Sequence, residues 1–294
     1  MHPSLSTMTA AAQASVSDAR AQALHWLTQA DPDTKVQGVR ALWQAVQAES
    51  DRSCVDPAAT WAPAADRPLP GRPVRPRLIE PGAVPPRSPF TTEGHAALIH
   101  AICHIEFNAI NLALDAVWRF PGMPEAFYRD WLRVAAEEAE HFTLLRDHLR
   151  SLRGPDGRRW DYGDFDAHDG LWTMCDKTAR DIVARMALVP RTLEARGLDA
   201  TPLIQAKLRR AGTATALQAC AILDIILRDE VGHVAIGNRW YRWLCDQQGL
   251  EPMAHFRHLM RLHRAPLPKP PLNTDARLRA GFTATELAFL EQIV

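Results

Sequence analysis

The sequence predicts an all-α protein in which a four-helix bundle over residues 91–250 carries extensions at both ends. Within this block the apolar residues recur every three or four positions, which is the period of a helix with one buried face. Two proline-rich stretches, 55–90 and 266–271, flank it, and proline resists regular structure because it lacks an amide donor. We therefore expect an N-terminal helical and proline-rich arm over 1–90 and a C-terminal helical and proline-rich extension over 251–294.

The composition bounds the possible functions. The formal net charge is zero, from 34 basic and 34 acidic residues, which gives no global attraction to nucleic acid or to anionic membranes. The N-terminus lacks a charged start followed by an apolar run, so it does not resemble a signal peptide. The five cysteines are scattered without a CxxC pair, which is typical of reduced thiols. We expect a cytoplasmic protein that binds neither membrane nor nucleic acid and that can form a homo-oligomer.

Both extensions contain recognisable helix starts. Residues 17–49 are expected to form two short helices around the turn Asp31-Pro32-Asp33. A short terminal helix is expected from Thr283, because Thr283 and Glu286 have the spacing of a capping box.

Four long helices are expected in the central block, at about 91–119, at 124–153, from near 171 onward and at about 213–246. Pro124 suits the first turn of the second helix. Gly197 and Pro202 are expected to interrupt the third helix.

Each of these four helices carries a glutamate on its apolar face, and two carry a histidine one turn later. An unpaired buried carboxylate costs several kcal/mol, so it must be paired, protonated or bound to metal. One such residue is best explained by a hydrogen bond to a neighbour, but four on facing helices favour a site for two cations. The predicted metal ligands are Glu106, Glu138, His141, Glu194, Glu230 and His233.

Two Glu-x-x-His motifs occur, beginning at Glu138 and at Glu230, whereas random placement of 13 glutamates and 12 histidines gives about half of one. Ligands at one level of an antiparallel pair must lie equally far from the connecting turn. Glu106 and Glu138 each lie 16 residues from Gly122, and Glu194 and Glu230 each lie 18 residues from Gly212. The spacing therefore selects one glutamate on each helix.

The same periodicity excludes other candidates. His104 lies about 200° around the helix from Glu106, on a face expected to pack against the N-terminal segment. His100 is also poorly placed, and Glu140 is expected to be solvated. Glu137 and Asp229 precede two of the ligands. Each is either an exposed charge or an outer carboxylate that accepts a hydrogen bond from a ligand histidine.

This pattern over about 95–247 resembles the ferritin-like di-iron carboxylate superfamily. The run Asp229-Glu230-x-x-His233 is similar to the Asp-Glu-x-x-His form found in oxygenase members, and Glu137 in place of aspartate is a departure. More narrowly, the segments HIEFNAINLALDAVWRF, RDEVGHVAIGNRW and HRAPLPKPPLNTDARLRAGF resemble a bacterial family filed as domain of unknown function 455. That resemblance covers nearly the whole chain. It implies the fold and the metal site, but it supplies no substrate.

The leading functional hypothesis is an oxidase or hydroxylase in which two iron ions activate O₂ against a small organic substrate. Carboxylate and imidazole ligands suit iron or manganese, including a mixed pair. The electron donor is not indicated. An iron-handling protein with ferroxidase activity and a metal-stabilised, non-catalytic scaffold stay open as alternatives. Ile110, Phe142 and Ile226 share the ligand face and predict an apolar pocket beside the metals, and no tyrosine is expected at the ligands.

Overall fold

The computed structural model describes residues 18–49 and 54–292, so the sequence-based assessment of the N-terminus falls outside the described residues. The described chain is helical, with isolated bridges at Leu78–Ala167 and Arg153–Arg159 as its β-type pairing. The helices in chain order are α1 (Ala19–Leu27), α2 (Pro32–Ala48), α3 (Thr92–Arg119), α4 (Glu125–Ser151), α5 (Gly170–Lys177), α6 (Ile182–Leu188), α7 (Ala195–Ala211), α8 (Ala214–Gln247), α9 (Pro252–Leu262), α10 (Thr274–Arg279) and α11 (Ala284–Gln292). The all-α prediction is confirmed.

The two N-terminal helices are confirmed, with the break where the sequence places it. The side chain of Asp31 accepts a hydrogen bond from the backbone N–H of Thr34, and Pro32 occupies the first turn of α2. Helix α1 packs on α3 and α2 packs on α4. The buried guanidinium of Arg20 holds α1 against α3 by donating hydrogen bonds to the backbone oxygens of Val117 and Trp118.

Helices α3, α4, α7 and α8 pack in pairs, α3 along α4 and α7 along α8, while α4 also contacts α8. The turns between paired helices contain Gly122, with φ 82°, and Gly212, with φ 65°. Both angles lie in the left-handed region that glycine adopts at little cost, so the two predicted turn positions are confirmed. Helix α3 is long and apolar enough to cross a membrane, but 78% of its most apolar window is buried inside the protein, as expected for a core helix.

The third helix differs from the prediction. It is divided between α5 and α6, and a π-helical segment, Val189–Glu194, then joins α6 to α7. Pro190 lies in this π segment, where its missing amide and its ring disrupt α-helical hydrogen bonding.

The predicted interruption at Gly197 and Pro202 is wrong, because α7 runs through both residues. Pro202 cannot donate to the carbonyl of Leu198, four residues earlier. The side-chain amide of Asn273 donates to that carbonyl instead, over 3.1 Å. A residue of the C-terminal extension therefore replaces the hydrogen bond that the proline removes.

In the C-terminal extension, α9 packs on α6 and α8, and α10 packs on α7 and α8. The capping box at the start of α11 is confirmed: the backbone N–H of Glu286 donates to the Oγ1 atom of Thr283 over 3.2 Å, and the backbone N–H of Thr283 donates to Glu286 Oε2 over 2.7 Å. One continuous hydrophobic core includes residues of both extensions and of the central helices. All five cysteines are buried free thiols.

Candidate metal centre

The structure brings the predicted ligands to the space between α3, α4, α8 and the π segment. Helix α3 supplies one glutamate, α4 and α8 supply one Glu-x-x-His pair each, and the π segment ends with the fourth glutamate. Their polar groups are buried. The six residues are Glu106, Glu138, His141, Glu194, Glu230 and His233.

Glu138 lies at the middle of this cluster. Its Oε2 atom is 3.2 Å from Nδ1 of His141, and its Oε1 atom is 2.9 Å from Nδ1 of His233. The two histidines belong to different helices, and their ring centroids are 5.8 Å apart. A single carboxylate thus contacts the inward nitrogen of both rings.

A further carboxylate accompanies each histidine. Glu106 Oε2 lies 3.4 Å from Nδ1 of His141, and Glu230 Oε1 lies 3.9 Å from Nδ1 of His233. The cluster therefore consists of two half-sites, Glu106 with His141 and Glu230 with His233, that share Glu138.

The outer nitrogens of the rings bind carboxylates of the opposite helix. His141 Nε2 on α4 lies 3.2 Å from Asp229 Oδ2 on α8, and His233 Nε2 on α8 lies 2.8 Å from Glu137 Oε2 on α4. An outer carboxylate fixes the ring and its tautomer, which leaves the inner nitrogen available as a ligand.

The cluster contains several polar atoms that lack a hydrogen-bond partner among the described residues. A buried polar atom without a partner costs about 1–3 kcal/mol. Ligand atoms of Glu106, Glu138, His141 and Glu230 also lie within 4.8 Å of one another, so this buried group could hold a metal ion. Glu194 Oε2 and Glu230 Oε2 have no partner, whereas Glu106 Oε2 lies near His141 Nδ1 and Glu138 Oε1 lies near His233 Nδ1 without the alignment of a hydrogen bond.

Burial and neighbouring charges shift the pKa values of the carboxylates in the cluster. Burial, with the nearby charge of Glu138, raises the pKa of Glu106 and of Glu194 to about 8. Burial acts to raise the pKa of Glu138 too, but the two histidines outweigh it and hold that pKa below its usual range. Without a cation, the cluster therefore limits its negative charge by keeping protons on carboxylates and on both histidines, whose pKa values the surrounding carboxylates raise, and a bound cation would displace these protons.

Among the six predicted ligands, Glu194 has the least direct contact with the other five. Its Oε2 atom is buried without a hydrogen-bond partner, and Glu194, like His233, is not among the four residues whose ligand atoms all lie within 4.8 Å of one another. Glu194 instead lines a cavity together with Glu106 and Glu230.

The residues that the sequence excluded lie elsewhere. Glu140 is exposed, and His100 accepts a hydrogen bond at Nε2 from the backbone N–H of Gly163 over 2.9 Å. His104 lies beside residues 72–78 of the N-terminal arm, as expected, but its hydrogen bonds go to another segment: its Nδ1 lies 2.9 Å from the Tyr162 hydroxyl and its Nε2 lies 3.1 Å from the backbone oxygen of His168. The loop between α4 and α5 covers this part of α3, a long-range contact that helical periodicity does not reveal.

A cavity of about 490 Å³ opens beside the carboxylates. Of the three apolar residues predicted to form a pocket, Ile226 lines this cavity, whereas Ile110 and Phe142 do not. Ile110 is fully buried in the core, and Phe142 packs against Phe107 and Tyr162, with ring centroids 5.3 and 5.2 Å apart. The α4–α5 loop thus fills the space beside Phe142.

Comparison with known proteins adds a family to this geometry. A family model described as protein of unknown function (DUF455) matches residues 28–288. The chain belongs to this family. An uncharacterized protein of Haemophilus influenzae is 52% identical to this DUF455 protein over 228 residues, covering 75% of this chain and 76% of the relative. No solved structure matches the chain significantly.

Proposed function

We propose that this DUF455 protein is a ferritin-like protein that holds two metal ions, both iron, and uses them to oxidise or hydroxylate a small organic substrate with O₂. The observation that carries the proposal is the position of Glu138 between the inward nitrogens of His141 and His233. Two half-sites that share one carboxylate suit two neighbouring cations better than one. The paired Glu-x-x-His motifs with a glutamate on each remaining helix are also the ligand pattern of di-iron carboxylate bundles.

The donor chemistry supports iron. The six residues offer carboxylate oxygens and neutral imidazole nitrogens and no thiolate, a set that favours iron or manganese over structural zinc or copper. Glu138 contacts both histidines and would bridge the two ions. The same role is proposed for Glu230, which lies near His233 and whose ligand atom is also within 4.8 Å of those of Glu106 and His141. Glu106 and Glu194 would be terminal ligands. Both line the cavity, as does Glu230, so a bound substrate would lie beside these carboxylates.

A di-iron centre supplies O₂ activation: hydroxylation inserts one oxygen atom into a C–H bond and reduces the other to water with two electrons from an external donor and two protons. The chain contributes the surroundings. Asp229 and Glu137 hold the histidine rings in place, and the apolar cavity walls exclude water from the reacting bond.

The cavity is what separates the enzyme hypothesis from its alternatives. A ferroxidase needs a path for hydrated ions, and a metal-stabilised scaffold needs no cavity at all. Here the three carboxylates face a space with mainly apolar walls, which is the form of a pocket for an organic molecule. We accordingly propose a small-molecule substrate, and a cytoplasmic location in keeping with the five free thiols.

Anaerobic loading with Fe(II), followed by a metal count, an optical spectrum and O₂ consumption, tests the proposal. We expect two irons per chain in the wild type and a loss of tight binding in Glu138→Ala, while His104→Ala keeps both ions. One iron per chain would contradict the shared-carboxylate arrangement. Many irons per chain would favour storage, and two irons without reaction with O₂ would favour the scaffold.

A further inference from the structure

The cavity beside the carboxylates has two ends of different character. At its inner end are the buried carboxylates of Glu106, Glu194 and Glu230. At its outer end are the side chains of Ile105 and Leu203, 48% and 44% exposed. The cavity therefore leads from the surface to the candidate metal centre. Much of the remaining lining is aliphatic and includes Ile102, Ala109, Leu112, Leu193, Leu223 and Ile226.

Two cationic side chains line the same cavity without an anionic partner. Arg196 on α7 is partly exposed and Lys269 in the proline-rich segment is exposed, and neither makes an ion pair or hydrogen bond within the described chain. The acidic wall residue Asp199 is already neutralised, because Arg277 donates to its two oxygens over 2.9 and 2.6 Å. The exposed part of the cavity lining thus carries two positive charges, Arg196 and Lys269, without an anionic partner in the described chain.

We infer that the cavity binds an amphipathic acid, a molecule with an apolar body and one carboxylate, with the carboxylate between Arg196 and Lys269 and the apolar end directed toward Glu106, Glu194 and Glu230. This rests on the proposed function, since it names the substrate class of the same site. In the opposite orientation Arg196 and Lys269 would both stay without an anionic partner, and the apolar body would lie in the exposed part of the cavity. The guanidinium of Arg196 can donate two parallel hydrogen bonds to a carboxylate, which makes this ion a better match than a neutral polar group.

The dimensions of the cavity agree with such a ligand. From Ile102 to Leu112 its wall follows α3 for about 15 Å, with Glu106 between these two residues, so the cavity extends to both sides of this carboxylate. A volume of about 490 Å³ lies in the range of ordinary small-molecule pockets. The apolar walls would supply most of the affinity by removing the chain of the acid from water, and the two cations would select the charged end.

Calorimetric titration with octanoate and with octanol tests the inference on both metal-free and anaerobically Fe(II)-loaded protein. We expect wild type to bind octanoate more tightly than octanol. Arg196→Gln and Lys269→Gln should each weaken octanoate binding roughly fivefold to tenfold and leave octanol binding unchanged. Lys207→Gln is the matched control, because Lys207 is an exposed lysine of α7 outside the cavity. Ala200→Trp, at an exposed position of the cavity wall, should block both ligands without disturbing the core.

Several outcomes would overturn the inference: equal affinity for octanol and octanoate, an absence of octanoate binding, or equal effects of Arg196→Gln, Lys269→Gln and Lys207→Gln. Octanoate binding that requires iron and ignores both cavity cations would also overturn it, because the carboxylate would then lie at the metals. Failure of the proposed function is recognised separately. In that case octanoate binds as expected, but the iron count or the reaction with O₂ fails.

Discussion

The Nε2 atom of His233 on α8 lies 2.8 Å from Oε2 of Glu137 on α4. Nε2 of His141 on α4 reaches back to Asp229 on α8 in the same manner. Each helix therefore anchors the histidine of the other, and both rings present Nδ1 to Glu138. The ring orientations are thus set by protein contacts, independently of any cation, and a cation would meet a prepared set of donors.

Replacing Glu137 with glutamine should weaken metal binding without unfolding the protein. The amide is close in size to the carboxylate, but it lacks the charge that polarises the ring of His233. Loss of such an outer partner typically costs 10- to 100-fold in metal affinity, and we expect a decrease of about that size for Fe(II) in competition with a chelator. Glu140→Gln is the control, because Glu140 is exposed on the same helix. If both variants bind iron equally, Glu137 has no role in orienting the ring.

The C-terminal extension should stabilise the π segment through one buried ion pair. Glu286 Oε1 accepts a hydrogen bond from Arg191 over 2.6 Å, and Arg191, at 2% exposure, is otherwise surrounded by Asn238 and by the rings of Tyr241, Phe256 and Phe282. Glu286→Gln leaves that guanidinium charge buried without a counter-ion. We expect a loss of about 3 kcal/mol in the free energy of unfolding, measured with urea.

A surface pair provides the comparison for this measurement. Asp275 Oδ2 and Arg279 Nε are 3.1 Å apart, but their side chains are 83% and 59% exposed. Asp275→Asn should therefore change the free energy of unfolding by less than about 1 kcal/mol. A Glu286→Gln variant as stable as Asp275→Asn would show that the extension does not depend on Arg191.

The buried ring of His100 should make the protein less stable in mild acid. Burial lowers the pKa of His100 to about 4, although Asp161 and Asp164 oppose the shift, and the ring stacks on Tyr162. The unfolded chain therefore binds the proton first. The stability that the neutral ring provides is complete above about pH 6.5 and is lost as the pH falls toward 4, a total of about 3 kcal/mol.

His100→Gln isolates this contribution, because glutamine keeps an acceptor for the Gly163 N–H and does not titrate. We expect the free energy of unfolding of the variant to decrease less steeply than that of wild type between pH 6.5 and 4. Other buried histidines titrate in both proteins, so only the difference between the curves reports on His100. Parallel curves would contradict the prediction.

The sequence could reveal the candidate ligands because their positions follow from local rules. Helical periodicity places Glu106 and Glu138 on apolar faces, and equal distances from Gly122 place them at one level. The structure keeps that turn at Gly122 and brings both carboxylates to His141. Both steps depend on short-range geometry, which a sequence encodes directly.

Features that depend on distant contacts were missed or misplaced. Pro202 was expected to break a helix, but its lost hydrogen bond is replaced by Asn273, which lies 71 residues further along the chain. Pro190 has the same local chemistry, yet it is the proline that lies in a π segment. The cavity cations Arg196 and Lys269 gave no signal, because a basic residue in a helix or loop is usually solvated. Tertiary packing decides all of these cases.

Two glycines of α8 should respond in opposite directions to the same substitution. A Cβ atom added to Gly237 would lie 2.5 Å from Pro190 Cβ and 2.6 Å from Pro190 Cγ, whereas one added to Gly232 would meet nothing within 4 Å. In metal-free protein, Gly232→Ala should raise the free energy of unfolding by about 0.5–1 kcal/mol, because alanine loses less backbone entropy in a helix. Gly237→Ala should lower it by about 1–3 kcal/mol, because the rigid proline ring must move away. That movement displaces the π segment that ends with Glu194, so Gly237→Ala should also weaken Fe(II) binding. Stabilisation of both variants in urea unfolding would show that the π segment does not depend on its close approach to α8.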